Sequence, residues 1–437
     1  MRMKPSAGGL KAMKTAVLII FMSWAGTTFN TARAGSIPKQ LSDLAVEANP
    51  EVSMLQHQVE ALKEKEKAAV VWQDPVFAVA YSNMPLGNPT LGNHPMSGIG
   101  LTLKQTFPFP GKNDRRRAVA AAEVEIQRCQ LEELKSQLKG KVKQFYWQLS
   151  LVRRLKEIKK EHIEEVDYLV QAVKAKYASG EANQQDILKL VVLKEKLTDE
   201  INDFTQKERE LTATINSVLH RDVDIYIETP GEIPIVKTTV MLDHLTERAE
   251  NERDLLRAWK KKAEMERLAA DREGHERYPD ITLWTGYRIR EETSLDEGED
   301  FLSFGVSLPI PVDYKGKYDA RKGAHLAQAR ASQEKYRSLL DGVSADIETS
   351  LSKWERNYQK ALTYSERLIP DAEATLEAAL SAWQVGRTEF SSLYQAELQL
   401  LDFEEAVTIA RAQTILMSLE IEILAGEPPA TKDEDKS

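Results

Sequence analysis

Two stretches of the chain alternate apolar and polar residues, and both run into the same kind of break. In residues 98–107, Ile99, Leu101, Leu103 and Phe107 point one way, and Gly100, Thr102, Lys104 and Thr106 the other. In residues 301–310, Leu302, Phe304, Val306, Leu308 and Ile310 share one side, with Ser303, Gly305 and Ser307 opposite. Period-two alternation of this kind predicts a strand with one greasy face. Pro108 and Pro110 close the first stretch, and Pro309 and Pro311 the second. Proline gives a ladder no donor and restricts the residue before it, so each strand must end there. Gly111-Lys112 follows in one copy and Lys315-Gly316-Lys317 in the other, and behind each a long helical run begins. Two further alternating stretches, residues 76–83 and 281–289, come just before these strands and complete a β-hairpin in each half.

Helical spacing fills most of the remainder. Residues 41–73 read as helix, restarting at Asn49-Pro50, where Asn can cap and Pro suits a first turn. Residues 113–178 keep three- and four-residue apolar steps, as in Leu131, Leu134, Leu138, Val142 and Phe145. At 1.5 Å per residue that run would reach about 100 Å. Coiled coils and helical barrels contain such rods; few globular domains do. Ser179-Gly180 breaks it, and a second helix over 184–219 folds back, so residues 177–186 form a hairpin tip. Residues 223–236, with Thr229-Pro230-Gly231 and Pro234, predict a non-helical connector holding a short strand.

The pattern then starts again. A helix over 245–271, the second β-hairpin, a long helix from 314, a break at Trp383-Gln384-Val385-Gly386 and a last helix to Leu424 repeat the order of the first half. A period of roughly 200 residues is internal duplication rather than a solenoid array. The expected organisation is a signal peptide over 1–34, a first repeat over 35–222 with β-hairpin 76–107 and helical hairpin 113–220, and a connector over 223–240. A second repeat over 241–426 follows, with β-hairpin 281–310 and helical hairpin 314–424, then a disordered charged tail over 427–437.

Charge and composition narrow the setting. Lys4, Lys11 and Lys14 precede an apolar run over 16–24, and Ala32-Arg33-Ala34 is a small-x-small cleavage site, the layout of an export signal. The 437-residue chain carries a net charge of −9, and losing its basic leader makes it more acidic, which argues against nucleic acid as a partner. Cys129 is the single cysteine and cannot form an internal disulfide. No stretch resembles a transmembrane helix, so a membrane role would require a β-barrel. Catalysis is not expected and no cofactor is implied. Gly111-Lys112 lacks the glycine spacing and following Ser or Thr of a P-loop, and neither His162 nor His275 belongs to an HExxH motif.

Each half supplies two strands of about ten residues, the length a tilted membrane strand needs. Four strands cannot close a barrel, because known ones start at about eight. Open edges in lipid would cost several kcal/mol per unpaired backbone group. If these strands lie in a membrane, several chains must therefore share one barrel, and three copies would supply twelve strands.

From residues 41 to 424 the chain resembles the TolC-type outer-membrane efflux channel family. The duplicated strand-to-helix plan carries the resemblance, with QTFPFPGK at 105–112 and the tips YASGEANQQDIL and WQVGRTEFSSLY. The fold it implies is mainly α with a small β part. Long antiparallel helical hairpins form a periplasmic α-barrel, and four membrane strands per chain enter a shared twelve-stranded β-barrel in a homotrimer. It also implies a passive duct, lodged in outer-membrane lipid, that works with a periplasmic adaptor protein and an inner-membrane efflux pump. Trp383 and Arg387 match gate contacts of the family, with the arginine one place out of register. Glu389, Glu181 and Asp186 are further gate candidates, and Ser392 and Gln395 stand where TolC-like channels narrow the pore with aspartates.

The FPFPGK wording is closest to the heavy-metal branch. Met84, His94 and Met96 share one hairpin loop, and thioether and imidazole suit copper or silver, so they are weak metal candidates. The cargo is expected to be metal ions or small molecules, with metal slightly favoured. The competing reading is a soluble periplasmic coiled-coil adaptor whose alternating stretches are ordinary sandwich strands.

Overall fold

The computed structural model describes residues 31–87, 94, 96–235, 242–293, 297–313 and 315–426. The expected leader lies almost wholly outside the described residues, as do the last five residues of the expected connector and the expected tail. The helices are α1 (Thr31–Ala48), α2 (Pro50–Ala68), α3 (Lys112–Ala178), α4 (Gln184–Val218), α5 (Leu242–Glu252), α6 (Asp254–His275), α7 (Ala320–Thr363), α8 (Ile369–Gln384) and α9 (Phe390–Ala425). The strands are β1 (Val76–Ser82), β2 (Gly98–Phe107), β3 (Ile281–Ile289) and β4 (Phe301–Ser307). The chain forms two compact units. One comprises residues 51–134 and 247–344, the other residues 1–50, 135–246 and 345–437.

The first of these units holds the sheet. Its order is β1-β2-β3-β4, antiparallel throughout, so β2 and β3 join the two hairpins into one layer. Strand β4 stops at Ser307, three residues short of the expected end. Its partner β3 begins only at Ile281, behind Pro279, and Pro309 can add no donor.

The single helix expected over 245–271 is two, α5 and α6, split at Arg253. Arg253 is extended, and the Glu133 carboxylate accepts the Leu255 N–H at 3.0 Å. That acceptor satisfies one of the orphan donors that every helix start leaves. The expected helix from 314 opens instead as a wide π turn, Lys315–Asp319. The Asp313 carboxylate accepts the Gly316 N–H at 2.8 Å and fills the space a Cβ would need there.

The other unit is helical. Ile158, Val166, Val173, Leu190, Leu197, Trp383, Phe390 and Leu393 form a core shared by α3, α4, α8 and α9. Helix α9 buries residues all round, among them Leu393, Ala396, Leu400, Ala410, Ile415 and Ile421, as a helix apolar on every side must. Between α7 and α8 lies a second π turn, Tyr364–Leu368. Pro370 explains it. A proline inside a helix lacks its N–H and collides with the carbonyl four residues back, and one widened turn absorbs the mismatch. Residues 223–235 form no strand, contrary to expectation. Their backbone acceptors go to side chains instead: Asn216 Nδ2 donates to Val223 O at 3.1 Å and to Ile225 O at 2.8 Å, and Arg153 donates to Ile227 O. Pro230 and Pro234 have no N–H to offer a ladder.

Candidate functional site

The strand registers collect the apolar sides of all four strands on one face. Phe77, Val79 and Tyr81 stand opposite Leu103, Leu101 and Ile99. These in turn face Thr285, Tyr287 and Ile289, and Leu302, Phe304 and Val306 oppose Tyr287, Thr285 and Leu283. Directly paired residues share a face, so this is one continuous apolar surface. It is open: Phe77 is 64% exposed, Leu302 62%, Phe304 76% and Val306 62%. The opposite face carries Thr102, Lys104, Thr106, Ser303 and Ser307, and there the Trp284 ring lies against Gly305, where a Cβ would overlap it. Among the described residues β1 and β4 each pair on one side alone, so the sheet has two free edges. No helix among them is long and apolar enough to cross a membrane.

The strand-to-helix junctions are braced. Lys112, first residue of α3, is 3% exposed, and its Nζ lies 3.0 Å from Glu276 Oε2 and 2.8 Å from Asp280 Oδ1. Asp280 Oδ1 also accepts the Phe109 N–H at 2.9 Å, and the Phe109 ring stacks on Tyr278 at 4.8 Å. Pro108 and Pro110 free no donor between them, and Gly111 turns the chain at φ 84°. Pro309 and Pro311 line one 560 Å³ cleft with Lys112, Tyr278 and Asp280, so both junctions meet there. Gly316 sits just beyond, in the π turn.

Both helical hairpins end in the same turn. Glu181 N donates to Lys176 O at 2.8 Å and Gly180 N to Tyr177 O at 3.0 Å; Arg387 N donates to Ala382 O at 2.8 Å and Gly386 N to Trp383 O at 3.0 Å. This double bond around a left-handed residue is a Schellman cap, and Gly180 and Gly386 supply the positive φ at 81° and 71°. Trp383 is 5% exposed and packs edge-on against Phe390 at 6.1 Å. Lys176 Nζ sits 4.9 Å over its ring and donates to its carbonyl at 2.9 Å, tying the two tips together. Arg387 and Glu389 are exposed. Glu181 lies 3.7 Å from Lys176, and Asp186, largely covered, lies 3.9 Å from Lys189.

Residues 41–190 match the family model described as outer membrane efflux protein. In three dimensions the chain is similar to the outer membrane protein VceC of Vibrio cholerae, with a TM-score of 0.74 at 16% identity over 90% of this chain and 97% of that one. It is similar to CusC, at 0.74 and 14% over 90% and 92%, and to the open state of the MtrE outer membrane channel of Neisseria gonorrhoeae, at 0.72 and 13% over 89% of each. The chain has the fold of a TolC-type outer-membrane efflux channel. No curated protein sequence matches it.

The sequence reading missed one buried constellation. His162 of α3 and Glu397 of α9 are each 3% exposed in their side chains, with Nδ1 2.8 Å from Glu397 Oε1. Nε2 lies 3.0 Å from Glu404 Oε2, and Glu165 Oε2 is 3.7 Å from Nδ1. Burial alone would neutralise the ring, but hydrogen bonds to Glu397 and Glu404 and their charges outweigh it, and the His162 pKa is pushed up to about 10. Loss of hydration and the charge of Glu397 push the half-exposed Glu165 up to about 7. Spacing offered one hint, since Glu397 and Glu404 are seven apart on a helix and share a face. Their partner is 235 residues away in the sequence and cannot be paired by pattern.

The loop candidates do converge. Met84, His94 and Met96 line one open 480 Å³ pocket with Asn83 and Pro85, and His94 Nδ1 accepts the Met96 N–H at 3.2 Å.

Proposed function

We propose that three copies of this chain pool their strands into one twelve-stranded barrel in the bacterial outer membrane and serve as the passive exit duct of a tripartite efflux system. The observation that carries this reading is the four-stranded sheet with an open apolar face and two free edges. Such a sheet has no stable place in water or in lipid until its edges are paired and its greasy face is covered. Pooling copies accomplishes the first, and lipid the second. Residues 1–34 direct export, and the duplicated halves, 35–222 and 241–426, act as equivalent staves joined by the 223–240 connector.

An adaptor protein docks at the α3–α4 tip, which exposes Tyr177, Leu188 and Val192. An inner-membrane pump supplies the cargo. The α8–α9 tip forms the periplasmic gate. Arg387 and Glu389 are its outward groups, with Glu181 and Asp186 on the neighbouring tip, while the buried Trp383 contributes by holding the turn in shape. Metal ions are favoured as cargo over other small molecules, because two thioethers and an imidazole share the loop pocket and suit soft ions.

Crosslinking of the detergent-extracted protein, with fractionation of the cells, tests the assembly. Trimers found in the outer-membrane fraction are expected. A monomer that leaves with the periplasm would support a soluble adaptor instead. For cargo, deletion should sensitise cells to copper or silver, and a deletion strain that is sensitive to drugs alone would remove the metal preference.

A further inference from the structure

His162, Glu165, Glu397 and Glu404 all lie in the helical unit, and the channel reading gives them nothing to do. Their geometry asks for a cation. Glu397 Oε1 and Glu165 Oε2 both face Nδ1 of His162, at 2.8 and 3.7 Å. Three carboxylates surround one imidazole. The nearest other cations are committed elsewhere: Lys159 pairs with Glu200 and Glu405, and Arg154 with Glu161 and Glu232. Nδ1 of His162 and one oxygen each of Glu165 and Glu397 lie within 4.8 Å of one another. Tetrahedral ligands about 2.1 Å from an ion sit about 3.4 Å from one another, so closing on one takes a movement of somewhat more than an ångström in the widest pair, within reach of the half-exposed Glu165 side chain.

The fourth residue is placed as a metal site needs it. Glu404 faces Nε2, on the far side of the ring from the carboxylate pair. A carboxylate that accepts the remote N–H fixes the tautomer and aims the other nitrogen at the metal. We propose that His162 Nδ1, Glu165 and Glu397 bind one divalent first-row cation of the zinc type in each protomer, with Glu404 as the positioning residue. One imidazole and two carboxylates form a borderline-to-hard set, suited to zinc, manganese or cobalt and poorly suited to copper(I) or silver(I). The ion takes the Nδ1 lone pair and the two carboxylates, and the protons they held leave to solvent. Bound there, it fastens α3 to α9.

The test uses the full-length channel in detergent, stripped with a chelator, incubated with zinc and passed through a sizing column, with metal counted per protomer and thermal unfolding followed alongside. The wild type should retain one zinc per protomer and melt at a higher temperature with zinc than without. Glu165→Gln, on the half-exposed side where folding is least at risk, should weaken binding at least tenfold, and Glu404→Gln about 10–100-fold. Glu157→Gln, a surface change on the same helix, should bind as the wild type does. Cobalt(II) in place of zinc should show a visible absorption band that Glu165→Gln loses. A folded wild-type channel that retains no zinc, or equal retention in Glu165→Gln and Glu397→Gln, would overturn the site and leave the charged His162 ring as the cation facing these carboxylates.

Discussion

Arg153 shows how much of this structure rests on single buried charges. Its Nε donates to Glu208 Oε1 at 2.8 Å, while Lys156 Nζ reaches Oε2 at 3.0 Å. The same guanidinium holds Thr229 Oγ1 at 3.0 Å and stacks 4.7 Å over Tyr226, so it pins the connector to the helices of its unit. Partial burial would raise the Glu208 pKa, but the hydrogen bonds and charges of Arg153 and Lys156 win and hold it below the usual carboxylate range. A carboxylate depressed in the folded state contributes stability that is present above its unfolded pKa and lost as pH falls through the folded one. Wild type should therefore melt above Glu208→Gln at neutral pH, with the gap closing below about pH 4; a gap that is constant from pH 7 to pH 3 would show that the pair adds nothing through charge. None of this was legible beforehand. Arg153 sits in a run of charged helical residues, the usual solvated face, and its partners are 55 and 76 residues away. His162 was hidden for the same reason. Pattern reveals which face a residue occupies and is silent on which distant residue arrives there.

Elements were far more legible than contacts. Strand alternation and the Gly180 and Gly386 turns depend on local stereochemistry and appear where the spacing put them, except that β4 ends three residues early, ahead of its Pro-x-Pro. The misses are places where a neighbour decided the outcome: Glu133 splitting α5 from α6, and side chains taking the acceptors of residues 223–235. Two predictions belong here. Gly386→Val forces a β-branched residue to φ 71° and should cost about 1–2 kcal/mol in thermal melts, whereas the same change at Gly342, within α7 and with open space around it, should be mild. Lys112→Ala removes the cation that Glu276 and Asp280 share, leaving Glu276 with Arg116 alone and Asp280 with the Phe109 N–H. It should cost about 3 kcal/mol, at the low end for a broken buried pair because those carboxylates are 23% and 25% exposed. A Lys112→Ala protein as stable as wild type would mean that the prolines alone fix the strand-to-helix turn.

At the scale of the whole molecule the open sheet face makes the sharpest demand, and neighbouring strand positions can be set against each other. Phe304 and Ser303 are consecutive in β4 and point to opposite faces. If the apolar face meets lipid, arginine at 304 places a charge in hydrocarbon at about 2–4 kcal/mol near the midplane, and a threefold assembly incurs that cost three times. Phe304→Arg should then leave the protein outside the membrane or unassembled, as read from heat-modifiable trimer on gels and from outer-membrane fractions. Ser303→Arg points into the water-filled side, so it should assemble normally and shift ion selectivity or conductance in planar bilayers. The soluble reading predicts no such contrast. With no lipid to meet, a largely exposed Phe304 would tolerate arginine at small cost, and neither variant would conduct. The apolar face was visible in the sequence as four separate alternations. Only the register shows that they add up to one surface, because a slip of one residue in any pairing would turn that strand's greasy side to the water.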